Sequence, residues 1–378
     1  MSTSLRIVHC FRSPVGGIFR HVRDLTHAQV AAGHKVGIVC DSSTGGDYED
    51  GLFAQLSGAL ELGVHRTPMQ RHIGPGDIGS GYRTYKLIKG LQPDILHGHG
   101  AKGGVYSRVF GSLLRVSRSR VARLYSPHGG SLHYDADTLT GRGIFMSERL
   151  LEKFTDHLLF VSGYEERVYR QKIGNPRAPF SLVYNGLTEP EFEPVPPAPD
   201  AADLLYIGMM RDLKGPDLFI DALVKAEALA GRRLSAHMVG DGDDMPKYRQ
   251  QVADAGLSDR VTFHAPMPAR KAFGMARVIV VPSRAEAMPY IVLEALAAGM
   301  PMIATAVGGI PEIFPANSPA LCSPDAGQLA DRMAKAVADP AGWQRLMTDE
   351  TTLRSNFGAD VMARKIEGIY LEALGRKA

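Results

Sequence analysis

Two glutamates with seven residues between them, Glu286 and Glu294, stand in the stretch Pro282–Gly299, PSRAEAMPYIVLEALAAG. Pro289 suits the first turn of a helix, where its missing N–H is not needed. Helix formers follow over Leu293–Ala298, and Gly299 is placed to end the helix in a left-handed conformation. This reading puts Glu286 on a loop at a helix start and Glu294 within the helix. A helix start offers unpaired N–H groups and positive dipole character, which suits phosphate. One carboxylate on the loop and one in the helix can then hold two different hydroxyl-bearing groups of one ligand.

Other residues of this kind also follow apolar runs. Arg211 and Lys214 lie in GMMRDLKG (Gly208–Gly215). Two cations three residues apart at a helix start can grip a diphosphate, Arg as a fork and Lys as a point charge. Solvated surface charges are the plainer reading of such a pair, and its place just after a strand tips the balance. Gly16 and Gly17 open GGIFRH, which is not the dinucleotide pattern GxGxxG. They let backbone approach an anion, or simply make a tight turn. His128, in SPHGG at a strand end, is expected to face substrate. His97 and His99, in HGHG, are expected to point to opposite sides of an extended chain and so to make a poor metal pair. A hydrogen-bonding role is expected for His97. With no HExxH and no third ligand at zinc spacing, no metal site is predicted. The absence of GxSxG and of GxxxxGK[ST] argues against serine hydrolases and P-loop NTPases.

These residues need a scaffold that presents loops at strand ends. Leu5–Cys10 reads as a buried strand, about Ile18 to Ala32 as a helix ending at Gly33, and Lys35–Cys40 as a second strand. This βαβ opening implies a parallel sheet with helices on both faces. Weaker strands follow near Leu62–His65, Ile95–His97, Arg123–Ser126, Leu158–Val161 and Leu182–Tyr184. The Pro- and acid-rich run 189–203 reads as a linker. The alternation restarts with Leu204–Ile207 and continues through Pro216–Ala230, Ser235–Val239, Met245–Ala255, Val261–Phe263, Val278–Val281 and Met302–Thr305. The predicted domains are residues 1–188 and 204–357, with an amphipathic C-terminal helix over 358–378. Doubly wound halves bind ligands beyond the C-terminal ends of their strands, so a cleft between the two domains is the expected site.

Composition agrees with this picture. A chain of 378 residues, 44% hydrophobic and 22% charged, has material for two cores. Three scattered cysteines, Cys10, Cys40 and Cys322, form no disulfide framework or metal spacing and fit a reducing cytoplasm. The start MSTSLRIVHC lacks a signal-peptide apolar region, and no apolar run approaches ~18 residues. The net charge of +3 is unevenly spread: residues 1–188 are basic and the remainder acidic. No aromatic-studded basic ribbon is present, so nucleic acid is not expected as a partner. Arg115, Arg118, Arg120 and Arg123, interleaved with Leu113, Leu114, Val116 and Val121, suit contact with anionic lipid or, equally, a solvated loop.

Taken together, these motifs resemble the retaining GT-B glycosyltransferases of family 4. The resemblance runs from PVGGIFRHVRDLTHAQVAAGH through PDILHGHG, SPHGG, VSGYE, VYNG, GMMRDLKG and VGDGDD to Glu286-x7-Glu294 and AAGMPMIATAVGGIPEIF. It implies two Rossmann-like domains, with the last helix crossing back onto the first. By position, Gly16 and Gly17 would line the diphosphate and acceptor side, and His128 would contact the transferred sugar. Arg211 and Lys214 would neutralise the leaving diphosphate. Glu286 would bond sugar hydroxyls, and Glu294 the ribose. Backbone at Met288, Pro289 and Tyr290 would meet sugar or phosphate, and the Gly240 loop would lie near the base. No metal or other cofactor is implied. Met209 stands where the family carries an arginine, EAMP stands for EGFG, and Pro289 removes one amide donor. The variant AEAMPYIVLEALAAG is similar to that of members building bacterial surface polysaccharides. This implies a nucleotide sugar as donor and a saccharide acceptor on a polyprenyl diphosphate, with the protein at the cytoplasmic face of the inner membrane. A sugar-nucleotide 2-epimerase and a catalytically silent nucleotide-sugar-binding partner are the alternatives, and intact Lys214, Glu286 and Glu294 argue against the silent one.

Overall fold

Near-continuous apolar strands need cover on both faces, and parallel sheets flanked by helices supply it. In the computed structural model, which describes residues 4–70, 76–116 and 120–375, the chain forms two such sheets. The first contains β1 (Arg6–Phe11), β2 (Lys35–Asp41), β3 (Gly63–Thr67), β4 (Ile95–His99), β5 (Ala122–Ser126), β6 (His157–Phe160) and β7 (Phe180–Leu182), in the order β3-β2-β1-β4-β5-β6-β7. The second contains β8 (Ala202–Ile207), β9 (Ala236–Val239), β10 (Val261–His264), β11 (Ala276–Val281), β12 (Met302–Thr305) and β13 (Leu321–Cys322), in the order β10-β9-β8-β11-β12-β13. The paired strands of both sheets are parallel.

The chain divides into two units. One comprises Met1–Gly186 and Ala359–Ala378, the other Leu187–Gly358. Side-chain alternation along β1 sorts the core of the first unit. Ile7 and Phe11 pack with Val22 and Leu25 of the Gly16–Ala31 helix and with Met362, Ile366, Ile369 and Tyr370 of the Ala359–Ala373 helix. Val8 and Cys10, on the other face, pack with Tyr106, Phe110 and Leu114. Each fully buried aliphatic or aromatic side chain contributes about 1.5–3 kcal/mol, so the last helix is integral to the first unit.

In each sheet the strand order reverses once, between β1 and β4 and between β8 and β11. A doubly wound sheet opens a crevice at that point, beyond the C-terminal strand ends. The loops carrying Gly16, Arg211, Lys214 and Glu286 leave β1, β8 and β11, the strands at these reversals.

Several boundaries differ from the sequence reading. The last strand of the first sheet ends at Leu182 rather than running to Tyr184. The run 189–203 opens with a 3-10 turn, Glu189–Phe192, because the Thr188 hydroxyl and the Glu191 carboxylate cap its start and Phe192 is buried. Pro289 is extended and caps the Tyr290–Ala297 helix from outside its first turn. The three cysteines are buried free thiols. Among the described residues, no helix is long and apolar enough to cross a membrane.

Candidate active site

In the second unit, β8 ends at Ile207, and the chain then turns through a 3-10 segment, Asp212–Lys214, before the Pro216–Ala230 helix. β11 ends at Val281, and an irregular loop carries Ser283 and Glu286 to the Tyr290–Ala297 helix. These loops meet at one ion pair. Lys214 Nζ donates to Glu286 Oε1 at 2.6 Å, and the Ser283 hydroxyl donates to the same oxygen at 2.7 Å. Glu286 is buried and its other oxygen, Oε2, has no hydrogen-bond partner among the described residues. Lys214 is half-buried, and an ammonium has three protons, so one contact to Glu286 leaves others for a ligand. The arrangement offers a cation and a carboxylate oxygen side by side, suited to a phosphate next to a hydroxyl.

Backbone packing holds this pair in place. Gly308, after β12, has φ +62°, and a Cβ there would lie 1.7 Å from the Glu286 carbonyl oxygen. Only glycine lets that loop close on Glu286. Gly240, after β9, has φ +147°, and a Cβ would lie 1.9 Å from the Gly208 carbonyl oxygen. The exits of β8 and β9 therefore touch backbone to backbone, beside Arg211. Thr305, at the end of β12, donates its hydroxyl to the Ser283 carbonyl and so braces the Glu286 loop from below.

Other predicted residues of this unit lie on the same two connections. Arg211 is exposed, at the extended position before the 3-10 turn. Glu294 is half-buried within the helix, and Met288 and Tyr290 are buried at its start. Arg211 and Lys214 do not share a helix face: the 3-10 turn between them bends the chain, and the helix begins only at Pro216.

The first unit gathers five histidines at the reversal of its sheet. His9 Nδ1 lies 3.0 Å from His99 Nε2, and His99 Nδ1 lies 3.0 Å from His128 Nε2. His97 bonds the Tyr370 hydroxyl at 2.8 Å and the Ser126 hydroxyl at 2.9 Å. His21 bonds Asn185 Oδ1 at 3.0 Å, and its ring centroid lies 4.8 Å from that of His128. Burial lowers all five ring pKa values, to about 4 for His9 and for His21, so the rings are neutral at pH 7. His128 itself has φ +50°, uncommon for a residue with a side chain. The next amide, Gly129 N–H, donates to the buried carboxyl of Glu165, which also accepts from Val161 N–H at 2.9 Å. Gly16, with φ +72°, and Gly17 are exposed at the start of the helix that carries His21.

Two expectations are corrected here. His97 and His99 do not point apart. Residues two apart on a strand share a face, and their rings lie 4.0 Å from each other. Two sets, His9–His97–His99 and His21–His99–His128, bring ring nitrogens within 4.8 Å of one another. The 3.0 Å separations within them are hydrogen-bond lengths. The basic run is not four solvated charges. Arg115 and Arg123 both bind Asp156, at 2.5 and 2.9 Å, and Arg123 is buried. Arg120 is exposed, and Arg118 lies outside the described residues.

Sequence reasoning missed Ser283, His9, His21, Gln29, Glu165, Asn185 and Tyr370. For His9 and the HGHG pair the signal was available: alternation puts His97 and His99 on one face, and β1 beside β4 pairs His9 with His97. Tyr370 joins the site from about 270 residues away in sequence, and no local pattern marks it.

Two Rossmann-like units of this kind, the first completed by the C-terminal helix, make up the GT-B glycosyltransferase fold. The structure superposes on the crystal structure of Anabaena Alr3699/HepE in complex with UDP and glucose with a TM-score of 0.77, at 16% identity, covering 96% of this chain and 98% of that one. Family models agree: residues 15–189 match Glycosyltransferase Family 4, and residues 201–339 match Glycosyl transferases group 1. The chain belongs to family 4 of the GT-B glycosyltransferases. Among its relatives is a D-inositol 3-phosphate glycosyltransferase of Frankia alni, 30% identical over 188 residues, a match spanning 46% of each chain. Another is the gpi3 subunit of the phosphatidylinositol N-acetylglucosaminyltransferase of Schizosaccharomyces pombe, 24% identical over 339 residues, 86% of this chain and 70% of that one.

Proposed function

We propose that the protein is a retaining glycosyltransferase. It moves a sugar from a nucleoside diphosphate to a hydroxyl of a lipid-linked saccharide in the assembly of a surface polysaccharide. The observation that carries the reading is the Lys214–Glu286 pair, with its spare ammonium protons and its unpartnered Oε2 side by side. In the reaction the bond from the anomeric carbon to the diphosphate oxygen breaks, and its electron pair stays on the phosphate. Lys214, with Arg211, stabilises that charge, the kind of electrostatic help that contributes most in transfer chemistry. Glu286 holds sugar hydroxyls and Glu294 the ribose. The acceptor hydroxyl attacks from the face the diphosphate leaves, and the leaving phosphate takes its proton. No residue is assigned as a covalent nucleophile, and the reading needs no metal, because cations and helix starts neutralise the diphosphate.

A lipid-linked acceptor gives a role to one surface of the first unit. The Leu139–Leu151 helix and the turn after it expose Leu139, Met146, Leu150 and Phe154, with Leu139 87% accessible. Both acids of this segment are turned inward: Glu148 onto Arg108 and Tyr125, Glu152 onto Arg149 and the amides of Arg177 and Ala178. Apolar side chains flanked by exposed Arg142 and Lys153 remain outside, a composition that fits anionic lipid.

The function is tested by presenting a panel of nucleotide sugars and following melting temperature and release of nucleoside diphosphate. A cognate donor stabilises by mass action, by about 2.7 kcal/mol at a hundredfold excess over its Kd, and turns over with a saccharide acceptor in the presence of a chelator. Stabilisation by no nucleotide sugar, or turnover abolished by the chelator, overturns this reading.

A further inference from the structure

The histidines of the first unit form one hydrogen-bonded chain, and its anchor gives it a direction. Gln29 Nε2 donates to the Tyr370 hydroxyl at 3.3 Å, so Gln29 Oε1 is the acceptor that faces His9 Nε2 at 2.8 Å. His9 must then carry its proton on Nε2, which leaves Nδ1 bare. A bare Nδ1 only accepts, so His99 donates to it from Nε2 and in turn has a bare Nδ1. His128 must donate to that nitrogen from its own Nε2. A second branch runs from Tyr370 through His97. Tyr370 O–H donates to His97 Nδ1, and His97 Nε2–H donates to Ser126. Every ring is neutral and every link has one donor and one acceptor.

The chain starts in the core and ends at the half-buried His128, whose Nδ1 has no partner among the described residues. His21 repeats the pattern beside it. Its Nδ1 faces Asn185 Oδ1 and donates to it, which leaves Nε2 bare, buried and without a partner.

We propose that Gln29, His9 and His99 are positioning residues that lock His128 in its Nε2–H tautomer, so that the first unit meets substrate hydroxyl groups with bare, hydrogen-accepting ring nitrogens on His128 and His21. This rests on the transferase reading for the identity of the hydroxyl, which belongs to the sugar or the acceptor. The tautomer itself does not depend on that reading. A histidine held in the wrong tautomer keeps its place but loses its catalytic use, which is why a residue three links away in the chain bears on turnover.

The experiment is 15N NMR of the histidine rings in the full-length protein at neutral pH, followed by kinetics of two Gln29 variants. The expected spectrum shows His9, His99 and His128 protonated at Nε2. Gln29→Met removes the anchor; it is expected to mix the His128 tautomers and lower kcat about tenfold or more, with the donor KM unchanged. Gln29→Glu keeps an acceptor for His9 and restores most of the loss. An Nδ1–H tautomer at His128 in the wild type overturns the proposal, as does a Gln29→Met protein with unchanged tautomer and kcat. If Gln29→Met does not fold, the wild-type spectrum decides alone. If no donor is ever turned over, the spectrum still decides the chain while the transferase reading falls.

Discussion

Glu286, on a loop, and Glu165, in the first turn of the Gly163–Lys172 helix, are both buried carboxyls, and their partners divide their tasks. Glu286 faces a cation, with one oxygen to spare for a ligand. Glu165 faces two backbone amides and, among the described residues, no cation, and burial pushes its pKa up to about 7. Its folded pKa exceeds the ordinary glutamate value of 4.5. The folded state therefore binds more protons than the unfolded state between those two values, and stability falls as pH rises through that window. The stability that this carboxyl contributes should be present at pH 4.5 and below and lost by pH 8, a swing of up to about 3 kcal/mol. Glu165→Gln should flatten that part of the denaturation profile; a variant whose stability follows the same pH slope as wild type contradicts the assignment. The loop that Glu165 holds carries His128, so the placement of His128 and this titration are linked by position. Little of this was legible in the sequence. VSGYE marks Glu165 as part of a resemblance, but its partners are main-chain amides, which no side-chain pattern reveals. Lys214 and Glu286 were legible as residues, and their contact, across 72 positions, was not.

Elements were more readable than contacts. Pro216–Ala230 and Met302–Thr305 fall where helix formers and apolar runs place them, and most strands lie within two residues of expectation. The errors come from local chemistry. A capping box turned part of a proline-rich linker into a 3-10 turn, and Asp156 drew two arginines out of a basic run that looked like a membrane face. The surface proposed above for lipid contact is the Leu139–Leu151 helix, where exposed apolar side chains stand at 139, 146 and 150 while Phe145 and Glu148 point inward. The wild-type protein should co-sediment with vesicles containing phosphatidylglycerol and not with neutral phosphatidylcholine vesicles. Met146→Glu with Leu150→Glu should abolish that binding without lowering the melting temperature, since both side chains are exposed. Equal binding to both vesicle types, or binding that survives the double substitution, excludes this surface.

Across the whole molecule the chain leaves its first unit after Gly186 and returns at Ala359. The returning helix closes the first core and brings the Tyr370 hydroxyl to His97 and Gln29. The two-unit plan was readable from alternating strands and helices, and the amphipathic pattern of the last segment marked it as a packed helix; its link to the histidines came only from the fold. In the proposed reaction the second unit supplies the cation–carboxylate pair that holds the donor. The most direct test of that account is the transfer rate of Lys214→Ala and Glu286→Ala, each with a cognate nucleotide sugar and acceptor. Each should lose about a hundredfold or more in kcat/KM, about 2.7 kcal/mol of transition-state stabilisation, while remaining folded. Wild-type turnover in both variants would contradict the account.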